Sequence, residues 1–201
     1  VHKGKEERSK REKDKATEII RRKSRYKFIA IAAVAAIVGI AAVVSYAYYM
    51  RTEAEKSRTA AFGPINAPGE HVHAVFKLYI HGKEPVDFSK SKYQLRTPYI
   101  HFENNNGTII HRHAANVDLG YLFESMKMKF TKDCFVLDDG RSYCNDGTNT
   151  LKFYVNGVLN DQYDKYVIKD GDRILITYGS EDEEQIREQL RAVDKLAGLN
   201  E

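Results

Sequence analysis

Of the seven histidines in this 201-residue chain, five fall in three short stretches: His71 and His73 in HVHAVFKLYI, His101 in YIHFE, and His111 and His113 in HRHA. Residues two apart on a strand project from the same face, so each His-x-His unit sets two imidazoles side by side. Convergent imidazoles suit copper, zinc or nickel, and Glu103 can add an oxygen ligand or an acceptor that orients a ligating ring. A single His-x-His is ordinary on the solvated face of a sheet or at a partner contact. Two in one small domain, with His101 nearby, make His71, His73, His101, His111 and His113 a candidate copper or zinc site.

The two cysteines carry the other candidate chemistry. In CFVLDDGRSYC the turn residues Asp138-Asp139-Gly140 let Leu137 pair with Arg141, which puts Cys134 opposite Cys144, within disulfide range. Dithiol exchange relies on two close cysteines at a helix N-terminus, where the thiol pKa is lowered. Nine intervening residues on a hairpin predict a structural staple instead, in an oxidising compartment. The alternative class is an extracytoplasmic enzyme, thiol-disulfide oxidoreductase or isomerase, or metal-dependent. The sequence holds no Ser-centred elbow, phosphate loop or Gly-rich dinucleotide motif, and the pairs Asp138-Asp139 and Asp170-Asp172 are explained by turns. Asn106-Gly107-Thr108 is a glycosylation candidate in a predicted exposed turn.

The elements that must position these residues read as an α+β domain over 71–179. His71 to Ile80 alternates, with Val72, Ala74, Phe76, Leu78 and Ile80 on one side and His71, His73, Lys77 and Tyr79 on the other, a half-buried strand. A turn at His81-Gly82-Lys83 predicts that Val86 to Phe88 returns as its partner. Tyr99 to His113 reads as a hairpin in which Gly107 takes the left-handed position, Phe102 opposes Ile110 and His101 opposes His111, so that His101, His111 and His113 share a face. Asp118 can cap a helix with Leu119, Leu122, Phe123 and Met126 on one side. From Leu151 to Gly179, turns at Asn156-Gly157 and Asp170-Gly171 separate further strands. In 180–201, Ser180 and Glu183 form a capping-box pattern before a stripe of Ile186, Leu190, Val193 and Leu196, which is expected to pack on its own domain; docking on a partner is the alternative.

What places this domain is Phe28 to Met50, 23 residues without a charge. At about 1.5 Å per residue that helix is long enough for a hydrocarbon core of roughly 30 Å. Residues 1–27 hold twelve Lys and Arg against five acids, so this tail is +7 and the remainder of the +4 chain is −3. Such a flank predicts a cytoplasmic N-terminus, an extracytoplasmic C-terminal domain and contact of the tail with anionic lipid, and it leaves no basic surface for nucleic acid. Tyr46, Tyr48 and Tyr49 suit the far interface. Ser45-Tyr46-Ala47 resembles a signal cleavage site, but the apolar run is longer than a signal peptide's. Residues 51–70, with Gly63, Pro64, Pro68 and Gly69, read as a linker.

Two resemblances attach to these motifs. The stretch LKFYVNGVLNDQYDKYVIKDGDRILITYG, following the helix from Asp118 to Met128, resembles the C-terminal half of the β-grasp sulfur-carrier proteins, which implies a β-grasp-like fold. Those carriers end in an activated Gly-Gly tail, whereas this chain continues Gly179-Ser180-Glu181. HVHA, YIHFE, HRHA, LGYLFES, CFVLDDG and DGDRILITYG resemble membrane-anchored extracytoplasmic proteins of ammonia-oxidising archaea, some labelled disulfide-isomerase-like. That resemblance implies an accessory subunit whose partner is a membrane protein, such as a copper-dependent oxidase complex.

Overall fold

The computed structural model describes residues 2–84 and 86–198, and it divides into two units, 1–58 and 59–201. Val1 of the basic tail and residues 199–201 of the C-terminal segment lie outside the described residues. The first unit is helix α1, His2–Ala61, whose last turn belongs to the second. Among the described residues it is the one helix long and apolar enough to cross a membrane. It runs past the apolar stretch because TEAEKSRTAA is mostly Ala, Glu, Lys and Arg and holds no Gly or Pro, and it stops before Gly63, which adopts φ +84°.

The segment expected to be a linker is therefore helical to Ala61 and anchored beyond it. Phe62 is buried, edge-on to Tyr99 and Tyr121 at 5.3 and 4.8 Å. The Asn66 N–H donates to the His113 carbonyl at 2.7 Å. Glycines and prolines mark where the chain turns; they carry no information on whether the turn is tied to a distant strand.

In the second unit the strands are β1 (Val72–Ile80), β2 (Ile100–His101), β3 (Ile109–Arg112), β4 (Lys129–Phe130), β5 (Cys134–Val136), β6 (Ser142–Cys144), β7 (Thr150–Val155), β8 (Val158–Leu159) and β9 (Asp172–Gly179). Six form a mixed sheet in the order β2-β3-β1-β9-β7-β8, with β1 parallel to β9 at the centre and the other pairs antiparallel. The others form a small sheet, β4-β5-β6. Helix α2, Leu119–Ser125, begins where predicted, its Tyr121 N–H donating to Asp118 Oδ1 at 2.8 Å. It belongs to an aromatic core in which Phe123 meets Phe76, Phe130 and Phe135 at 5.0–5.9 Å.

Three local expectations are corrected. Residues 86–88 are not a strand: Asp87 Oδ1 accepts from the Ser89 N–H and hydroxyl, closing a turn that drops Phe88 into the core against Phe102, 5.1 Å away. The antiparallel partner of β1 is instead β3. In the hairpin, His101 does oppose His111, but β2 ends there and Phe102 bridges Gln94. Asn104 and Asn105, at φ 56° and 54°, supply its left-handed positions. Gly107 is needed for another reason: a Cβ there would stand 2.5 Å from the Ser89 nitrogen.

The third correction concerns helix α3, Glu183–Ala197, which is capped by Asp182 with Gln185 rather than by Ser180 with Glu183. Ser180 and Glu181 are used in leaving β9, Glu181 pairing with Lys152 at 3.0 Å. The predicted stripe does pack on its own sheet, with Val193 buried on Val75 and Leu175, and Leu190 and Leu196 beside them.

Candidate metal centre

Strand alternation and two pairings build the site. On β3, Ile110 and Arg112 turn inward, so His111 and His113 turn outward together. Arg112 is held by the carbonyls of Ile168 and Ala114 and by Glu70, which ties β3 to the segments entering β9 and β1. The register then sets His73 opposite His111 on one side and His101 opposite His111 on the other. His71, one residue before β1, places its ring 4.6 Å from that of His113. All five predicted imidazoles meet at one end of the sheet.

Three of them converge most closely. One ring nitrogen from each of His71, His73 and His111 lies within 4.8 Å of the others. Ligand nitrogens on a tetrahedral ion at about 2.0–2.1 Å sit roughly 3.3 Å apart, and rotation of the exposed His71 and His73 side chains spans the difference. Three imidazoles leave a fourth position for water or another ligand.

His101 and His113 stand beside this group, their rings 4.9 Å apart and inclined by 27°. His101 is buried, with Nδ1 2.7 Å from the Thr97 carbonyl and Nε2 3.3 Å from Glu103 Oε2. His113 Nδ1 lies 2.7 Å from Asn66 Oδ1, and its Nε2 is buried without a hydrogen-bond partner. Glu103 Oε1 is 3.5 Å from His111 Nδ1, which makes no hydrogen bond. A cavity of about 440 Å³ opens here, its wall including Ile65, Asn66, Leu95, His101, Glu103 and His113.

The electrostatics keep two of the rings unprotonated near neutral pH. Burial, joined by the neighbouring imidazoles of His73, His101 and His113, lowers the pKa of His111 to about 4 against the opposing pull of Glu103. Burial, followed by His101 and His71, lowers His113 as well. Burial raises the Glu103 carboxyl, but the imidazoles of His111, His101 and His113 outweigh it and leave it below the usual range. Near neutral pH, His111 and His113 thus carry free lone pairs and Glu103 a negative charge, the protonation states that a metal ligand requires.

No family model, curated protein or solved structure matches this chain. Its chemistry therefore rests on its own geometry.

The remaining site residues are placed as follows. Cys134 and Cys144 are directly opposed and disulfide-bonded, Cα atoms 4.0 Å apart, on the β5–β6 hairpin. This pair is not at a helix N-terminus. Asn106 is half-buried, its Oδ1 accepting from the Thr108 N–H and hydroxyl at 2.8 Å. Sequence reasoning missed Asn66, Thr97 and Asp170, the last of which accepts the His73 N–H at 2.9 Å. Asn66 lies in the segment read as a linker, Thr97 in a stretch given no element and Asp170 in a turn, so only long-range pairing brings them here.

Proposed function

We propose that this chain is a single-pass membrane protein displaying a β-grasp-like, metal-binding domain outside the cytoplasm, as a non-catalytic binding or accessory subunit. The observation that carries the metal assignment is the convergence of His71, His73 and His111 from two hydrogen-bonded strands. Copper and zinc are the ions that three imidazoles with an open fourth position favour. The histidine residues would hold the ion, and the metal would supply a Lewis-acidic centre open to one exogenous ligand.

Support for the fold reading comes from the strand order: β3 and β7 flank a central parallel couple, β1 and β9, and α2 lies in the connection from β3 toward β7. Support for the location comes from the apolar stretch and its +7 flank, for which the positive-inside rule puts 1–27 in the cytoplasm. A disulfide fits an oxidising compartment. A membrane protein complex is the natural partner, a copper-dependent one by the resemblance of the HVHA and HRHA motifs.

The deciding experiment is metal analysis of the full chain purified from membranes, coupled to protease digestion of intact cells. Copper or zinc that disappears in His73→Ala and His111→Ala, on a domain cleaved from outside, supports the reading. Metal content independent of these residues, or a domain protected in intact cells, overturns it.

A further inference from the structure

We infer a binding pocket for a small organic ammonium ion at the opposite end of β1 from the histidines, where β1 and β9 finish beneath helix α3. A cavity of about 450 Å³ opens there, its lining including Tyr79, His81, Glu181, Gln185, Glu188 and Gln189. That volume falls within the range of small-molecule sites, roughly 300–1,000 Å³.

Two acceptors in this lining are buried and unanswered. The Glu181 side chain is 5% exposed and Gln189 is 8% exposed, and neither Glu181 Oε1 nor Gln189 Oε1 has a hydrogen-bond partner. Oxygens held away from water without a donor are destabilising, a carboxylate most of all. Lys152 does not supply what is missing. An ammonium has three hydrogens, and four oxygens already surround this one: the Gly179 carbonyl at 2.9 Å, the Thr150 carbonyl and hydroxyl at 3.0 and 3.1 Å, and Glu181 Oε2 at 3.0 Å. The deep seat of the carboxylate depends on Gly179, where a Cβ would collide with it.

The chemistry of the ligand follows from these groups. Both unanswered atoms are acceptor oxygens, so the ligand brings N–H donors. Two carboxylates, Glu181 and Glu188, stand against the single ammonium of Lys152, so the complement is one positive charge. A metal ion fits less well. Among the described residues, the His, Cys, Asp and Glu donors drawn together closely enough for an ion are those of His71, His73 and His111, and the carboxylates here form no such group. A primary ammonium carries three N–H donors that reach separated acceptors, and Tyr79 offers a wall for a short carbon chain.

The test is ligand-observed NMR on the full chain in detergent, with n-butylammonium as the probe. Tetramethylammonium, of equal charge but without an N–H, is the control. The probe is expected to bind saturably, and the control about tenfold more weakly, the scale of losing one charge-assisted hydrogen bond. Glu181→Gln and Gln189→Leu should each weaken the probe about tenfold as well. Gln189→Leu should also leave the melting temperature no lower than that of the wild type, because it removes an acceptor that no protein donor answers; a purely structural Gln189 would lower it. Circular dichroism in the aromatic region checks that both variants are folded. His73→Ala should bind the probe as the wild type does, which separates this pocket from an amine taken up by metal at the histidines. No saturable binding, a control that binds as tightly as the probe, or binding kept in both Glu181→Gln and Gln189→Leu overturns the pocket. Binding lost in His73→Ala overturns it too and leaves the metal centre standing.

Discussion

The two faces of the six-stranded sheet are used differently, although the same strands make both. One face carries Val72, Ala74, Phe76, Ile110 and Ile174 into a continuous core with α2 and the small sheet. The other carries Val75 and Leu175, which α3 covers with Val193, and then His71, His73 and His111 at an end where two of the three are exposed. The covered face is saturated with aromatic contacts, and the other stops short of the imidazoles. Burial thus makes the fold on one side, and incomplete burial makes a site on the other.

That contrast can be broken from either side. The largest effect should come from the covered face: Phe123→Ala empties a fully buried position and should cost about 3–5 kcal/mol in a denaturant titration, with metal binding lost only as the domain unfolds. Cys134→Ser opens the closed hairpin and should cost roughly 2.5–3 kcal/mol by the chain-entropy estimate. Metal affinity should not change, since the small sheet shares no paired strand with the histidines.

On the open face, His73→Ala should do the reverse. Chelator competition should show metal affinity down at least a hundredfold, about 2.7 kcal/mol, with the apo-protein's stability within about 0.5 kcal/mol of wild type. Loss of stability without loss of metal would invert the assignment of the faces. A smaller effect is expected from Asp118→Ala, which removes the N-cap of α2 and should cost about 1 kcal/mol.

The smallest effect is alkaline and again belongs to the covered face. Burial, with a hydrogen bond to Asp172 at 2.7 Å, raises the phenol pKa of Tyr166 above its ordinary 10.0. The folded chain keeps a proton that the unfolded chain releases. Its contribution is complete below about pH 10 and is lost as the pH rises beyond it. Melting temperatures at pH 9 and 11 should therefore differ less for Tyr166→Phe than for wild type.

Much of the local structure was legible in the sequence. The alternation of HVHAVFKLYI, the Asp118 cap, the Asp138-Asp139-Gly140 turn opposing the cysteines and the stripe of α3 all depend on short-range periodicity or turn chemistry, which a few neighbouring residues encode. The failures have a common origin. Val86–Phe88 reads as the partner strand of β1 because it follows a turn, and Asn66 as linker because it lies among glycines and prolines; in each case a contact with a remote element decides the outcome. The capping box of α3 starts two residues later than expected, on Asp182 and Gln185, and Glu181 just before it pairs with Lys152 across the sheet.

The sequence by itself determined that His71 and His73 share a face, that His111 and His113 share a face with His101, and that an uncharged run of 23 residues precedes them. Only the tertiary structure decided that these two sets are one. The antiparallel pairing of β1 with β3 sets His73 against His111, and strand pairing across dozens of residues is governed by burial of the opposite face rather than by anything the histidines encode.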